Sequence, residues 1–180
     1  GDVYVHTMLV LQRAADLKFD LATRFAALTH DFGKPAAFHT YGKLYGHEQM
    51  GLTIIDEFCA RLKTPKKLNE IARLTSENHT RCHKIRELTP KKIHALIVEN
   101  MNALQHELRF KQFLNACVCD AQGRGPSKVN SLYPQSDIAK SYLQSLKTVN
   151  AKQVVKDAMS KGRVGKQISE ALREAQIANI

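Results

Sequence analysis

Apolar residues recur at three- and four-residue intervals along nearly the whole of this 180-residue chain. Leu52, Ile55, Phe58, Ala60 and Leu62 form one set, Ile93, Leu96, Ile97, Met101 and Leu104 another, and Phe110, Phe113, Leu114 and Cys117 a third. That spacing puts each set on one face of a helix, and no run of four to eight residues alternates as a half-buried strand must. The chain is therefore expected to be all-α. Its length fits one domain, or one domain plus a helical extension, and suffices to bury a core.

Turn chemistry divides it. Thr64-Pro65-Lys66-Lys67 and Thr89-Pro90-Lys91-Lys92 each read as a capping threonine before a proline at the first helical position. The paired lysines oppose the helix dipole but gather amide donors and ammonium groups where a phosphate would be welcome. Residues 123–135 are rich in Gly, Pro, Ser and Asn and lack helical periodicity, so they form a loop. The expected organisation is a core over residues 1–122, with a C-terminal helical extension over 123–180 packed on it. In that extension Ile138, Tyr142 and Leu146, then Val154, Val155 and Met159, then Ile168, Leu172 and Ile177 fall on helical faces.

The net charge of +10 is uneven. Residues 1–60 hold 5 Lys and Arg against 7 acids, whereas the remainder holds 22 against 10. A slightly acidic front joined to a basic body suits a polyanionic partner held beside a cation site. Cys59, Cys82, Cys117 and Cys119 contain no C-x-x-C pair, which excludes a disulfide framework or zinc finger and leaves packed, reduced thiols. No apolar run approaches the ~20 residues a membrane span needs, and no signal-peptide pattern opens the chain, so a cytoplasmic location is expected. The chain opens on Gly1 instead of methionine, the pattern of a fragment or processed product.

The chemistry lies in the order of the histidines: His6, the doublet His30-Asp31 leading into Phe32-Gly33-Lys34, then His47, His79 and finally Asp120. Neutral imidazoles mixed with carboxylates suit borderline divalent metals better than calcium. Six such groups exceed one zinc's needs and point to two ions about 3.5–4 Å apart, bridged by a carboxylate. Adjacent residues diverge by about 100° on a helix, which lets Asp31 bridge two ions while His30 binds one. Gly33 reads as the C-cap of a helix running from about Leu21, Asp2 as the N-cap of the helix carrying His6, and Gly46 as a point of close backbone approach before His47. His79 and His83 are spaced i, i+4 and share a face, with His79 the ligand and His83 a supporting or phosphate contact. His39, His94 and His106 fit no ligand spacing.

The stretches His6-Thr7-Met8, Arg24 to Lys34, Gly46-His47-Glu48, Arg61 to Pro65, Asn78-His79, Asp120 to Arg124, Tyr133-Pro134-Gln135 and Leu172 to Ile177 together resemble the C-terminal HD domain of bacterial CCA-adding enzymes, the multifunctional tRNA nucleotidyltransferases. The resemblance implies an HD-domain helical bundle with 2′,3′-cyclic phosphodiesterase, 2′-nucleotidase and phosphatase activity, dependent on nickel or magnesium. It places metal ligands at His6, His30, Asp31, His47, His79 and Asp120, and implies tRNA, through its acceptor end, and an N-terminal nucleotidyltransferase domain as partners. Neither the Gly-rich strand-turn motif nor the D-x-D pair of that second domain occurs here, so this chain is not expected to add CCA.

The expected mechanism is in-line attack on phosphorus by a water activated by one or two ions of Ni, Mn, Co or Mg, with His30, Asp31 and Lys34 as the catalytic residues. Lys34, Arg81 and Arg124, aided by His83, bind the substrate and neutralise developing charge on nucleotide phosphates or 2′,3′-cyclic phosphates. Two other readings compete: a tRNA-binding module whose metal site is vestigial or structural, and a free-standing nucleotide phosphatase unrelated to tRNA.

Overall fold

The computed structural model describes residues 2–180, and they form helices joined by short turns, with no strand among them. The helices are α1 (Val3–Asp16), α2 (Leu21–Thr29), α3 (Lys34–Tyr41), α4 (His47–Leu62), α5 (Lys66–His83), α6 (Pro90–His94), α7 (Glu107–Gln122), α8 (Pro134–Lys147), α9 (Ala151–Ser160) and α10 (Lys166–Ala178). Ala95–Asn100 continues α6 as a wider π-helical turn. The chain is all-α, as its periodicity requires.

The short helix α2 sits between α1, α5 and α7, and its small residues make this possible. Ala26 and Ala27 are fully buried, so neighbouring helices approach without large side chains between them. Val10 and Ala14 of α1 close over Ala27 and Cys119. At the far end of α7, a Cβ on Gly123 would lie 2.6 Å from Val10 Cγ2, so only glycine lets α1 cross there. The main apolar cluster joins Ile71 and Cys82 of α5 to Phe110, Phe113, Leu114 and Cys117 of α7. All four cysteines are buried and free.

The C-terminal segment is integral to that cluster at its first helix. Ala139, Leu143 and Leu146 of α8 are buried against α5 and α7, each leucine contributing roughly 1.5–3 kcal/mol of transfer free energy. Beyond it, α9 and α10 pair with each other, and α10 returns to α6, where Gln176 meets His94. Met159 is left largely exposed. No helix is long and apolar enough to cross a membrane.

Two local expectations are corrected. Thr64 does not cap α5, because its hydroxyl turns back to Cys59 O at the end of α4 and Pro65 takes the cap position. Thr89 occupies the cap position of α6, but its side chain makes no capping bond. The loop over 123–135 includes one 3₁₀ turn, Pro126–Lys128, and ends as Pro134 opens α8.

Candidate metal centre

Asp2 accepts from the amides of Tyr4 and Val5, which starts α1 and places His6 one turn inside it. His30 ends α2 as its C-cap, and Asp31 lies in the turn that follows. Gly33 is not the left-handed cap its position indicated; its φ is −79° and it precedes α3. Its role is close approach, since a Cβ there would lie 2.0 Å from His47 O. Bare backbone at Gly33 thus lets the first turn of α4, with His47, press against the turn carrying Asp31. Gly46 serves by its φ of +74°, with open space around it, not by close approach. His79 and His83 come from the last turns of α5, and Asp120 from the last turn of α7.

These residues converge. Asp31 Oδ2 lies 3.1 Å from His30 Nε2 and 3.5 Å from His6 Nε2, while Oδ1 lies 3.4 Å from His47 Nε2 and 3.5 Å from His79 Nε2. Asp120 Oδ1 lies 3.1 Å from His6 Nε2 and 3.8 Å from His30 Nε2. Ligand atoms therefore fall into two groups, His6 with His30 and Asp120, and Asp31 with His47 and His79, each within 4.8 Å of one another. Asp31 spreads its two oxygens between them.

The second nitrogen of each ring explains its aim. His6 Nδ1 donates to Gly123 O, His30 Nδ1 to Ala27 O, His47 Nδ1 to Leu44 O, and His79 Nδ1 to Ser76 O. A backbone carbonyl only accepts, so each Nδ1 carries a proton, and each ring in its neutral form points a lone pair from Nε2 at a carboxylate. Lone pairs then face lone pairs. His30 Nε2, His47 Nε2, both Asp31 oxygens and Asp120 Oδ1 are buried without a partner at hydrogen-bond geometry. Only a cation or added protons can satisfy such a set.

The electrostatics register the same deficit. Burial acts to raise the Asp31 carboxyl, but the imidazoles of His30, His47 and His79 outweigh it and hold the group far below the usual carboxylate range. Asp120 is likewise held low, with burial overcome by His6 and His83. Burial alone would depress His30 and His47, yet Asp31 raises both. His79 is lowered, by burial first and by the neighbouring His30 charge.

The remaining sequence candidates separate. Lys34 reaches Asp31 Oδ2 with its ammonium, and Arg124 lies 3.5 Å from Asp120 Oδ1. With His6, the candidate ligand that opens into it, they border a cleft of about 450 Å³. His83 is held beneath, donating from Nε2 to Asp120 Oδ2 at 2.6 Å and accepting at Nδ1 from the Tyr133 hydroxyl at 2.7 Å. Arg81 is not at the site. Two residues from both His79 and His83, it lies about 200° around α5 and donates to Asn78 Oδ1. Tyr133 enters the sequence reading only within the stretch Tyr133-Pro134-Gln135 that carries the resemblance, with no role at the site; the signal for one was an aromatic hydroxyl just before the proline that opens α8. His94 bonds to Glu99 and Gln176 far from this centre, and His39 and His106 are exposed.

A family model described as the HD domain matches residues 3–107, more than half of the chain. The chain belongs to the HD-domain family. The superfamily is one of metal-dependent phosphohydrolases. Among curated proteins, this HD domain is 36% identical over 180 residues to a multifunctional CCA protein of Teredinibacter turnerae, covering 99% of the chain and 42% of the relative. It is 38% identical over 173 residues to the multifunctional CCA protein of Laribacter hongkongensis, with 94% of the chain and 42% of the relative covered. The Haemophilus influenzae counterpart is 34% identical over 176 residues. The HD domain thus spans about two fifths of the length of these relatives. No solved structure gives a significant match.

Proposed function

We propose that this HD domain is a metal-dependent phosphohydrolase acting as a 2′,3′-cyclic phosphodiesterase, 2′-nucleotidase and phosphatase, and that its substrate is borne by the tRNA acceptor end. One observation carries the metal reading: the buried Nε2 atoms of His30 and His47 converge with oxygens of Asp31 and Asp120 and none of them has a hydrogen bond, while the Nδ1 of His6, His30, His47 and His79 is committed to a backbone carbonyl. His6, His30 and Asp120 would hold one divalent ion and Asp31, His47 and His79 a second, with Asp31 shared. Ions there supply Lewis acidity toward phosphate and an activated water near neutral pH.

The chain's own residues do the rest. Lys34 and Arg124 border the cleft where the phosphate enters and neutralise charge that grows on its oxygens. Tyr133 fixes the tautomer of His83, which orients Asp120. On this reading residues 1–122 are the hydrolase core, residues 123–180 a helical extension, and the relatives' longer chains point to an N-terminal nucleotidyltransferase domain as partner.

The test is hydrolysis of 2′,3′-cyclic AMP by chelator-stripped protein resupplied with Ni, Mn, Co or Mg. Turnover restored by metal and absent in Asp31→Ala supports the reading. Silence with every metal, together with tight, salt-sensitive tRNA binding, would move it to a binding module.

A further inference from the structure

The two groups of candidate ligands stand in opposite electrostatic surroundings. The Lys34 ammonium touches Asp31 Oδ2, the oxygen nearer to His30 and His6, and an Arg124 nitrogen lies 3.5 Å from Asp120 Oδ1. Both cations thus rest on the carboxylate oxygens that His6 and His30 face. On the other side Asp31 Oδ1 faces His47 and His79, and the charged side chain adjoining that group is Glu48, whose carboxylate lies 3.4 Å from His47 Nδ1. Two cations oppose an ion in the first group, and an added anion favours one in the second.

The Lys34 contact is one of charge alone. Asp31 Oδ2 has no hydrogen bond although the ammonium touches it, so the oxygen's lone pairs still point toward the imidazoles. Lys34 is 22% exposed and lines the cleft together with Arg124 and His6, so an anion entering there meets both cations directly. A phosphate offers them several acceptor oxygens in place of one shared carboxylate oxygen each.

We propose that the position framed by Asp31, His47 and His79 takes its ion first and without help, whereas Lys34 and Arg124 keep the position framed by His6, His30 and Asp120 weak until a phosphate in the cleft draws them away. This rests on the metal reading above. The second ion and the phosphate then strengthen each other by the same factor.

The experiment is calorimetric titration of the chelator-stripped full chain with Mn(II), alone and with inorganic phosphate, while electron paramagnetic resonance reads whether the ions are paired. Wild type should show one tight step and a second at least about tenfold weaker, which phosphate tightens. Lys34→Met should tighten the weak step about tenfold in the absence of phosphate, and Lys34→Arg, which keeps the charge, should not. His47→Ala should remove the tight step and His6→Ala the weak one. Two equally tight steps in wild type, a weak step that Lys34→Met leaves unchanged or weakens further, or the reverse assignment of His6 and His47 overturns the proposal. If neither wild type nor Lys34→Met binds Mn(II), the metal reading falls and the proposal falls with it. Binding in the expected order without hydrolysis of 2′,3′-cyclic AMP supports the proposal and defeats only the hydrolase reading.

Discussion

His83 Nε2 lies 2.6 Å from Asp120 Oδ2, and this contact decides which oxygen of Asp120 is left to face His6 and His30. Without it the carboxylate could turn on its Cβ–Cγ bond. His83→Ala should therefore fold normally but bind metal about 10–100-fold more weakly, the usual effect of losing a group that orients a ligand. Tyr133→Phe, which removes the hydroxyl donor to His83, should act in the same direction with smaller size. Calorimetric titration with Ni or Mn measures both, and unchanged affinity in His83→Ala would show that Asp120 needs no support.

Asp31 touches both candidate metal groups, so its charge should govern metal-linked stability. At an ion concentration a hundredfold above Kd, the wild type should gain about 2.7 kcal/mol, and chelator should remove that gain. Asp31→Asn should lose most of the metal-dependent shift in Tm, keeping at most what His6, His30 and Asp120 hold by themselves. A full shift in the variant would exclude Asp31 from the site.

The raised His30 and His47 fix the sign of the pH dependence. A folded-state pKa above the unfolded value of about 6.5 gives the metal-free protein stability that is complete below that pH and lost as pH rises through the folded pKa. Metal needs the neutral rings, so binding should strengthen across that same interval and release protons. His79, held low, should be neutral throughout it. Titration at several pH values in buffers of different ionisation enthalpy counts the protons, and a pH-independent Kd would defeat this account.

Gly33→Ala should destabilise the fold by about 1–3 kcal/mol or more, because a Cβ would sit 2.0 Å from His47 O and 2.6 Å from Gly51 N. Both contacts are backbone, so α3 and α4 must separate and carry His47 with them. Urea unfolding measures the loss, and wild-type stability with wild-type metal affinity would contradict the packing.

The sequence by itself determined that the chain is helical and which side chains can bind a metal, because period and residue chemistry are local properties. The order His6, His30-Asp31, His47, His79, Asp120 and the start of α1 at Asp2 were legible for that reason. Spatial relations were not. That Gly33 serves close approach and not a left-handed turn depends on α4 arriving beside it. Arg81 looked equivalent to Lys34 along the chain, yet the angular position it takes on α5 turns it away. Tyr133 lies 50 residues from His83 and meets it only because Leu143 and Leu146 seat α8 against α5 and α7. Only tertiary packing decided how Asp31 shares its oxygens between two groups of imidazoles, since five separate segments must be brought to one place before any of them has a partner.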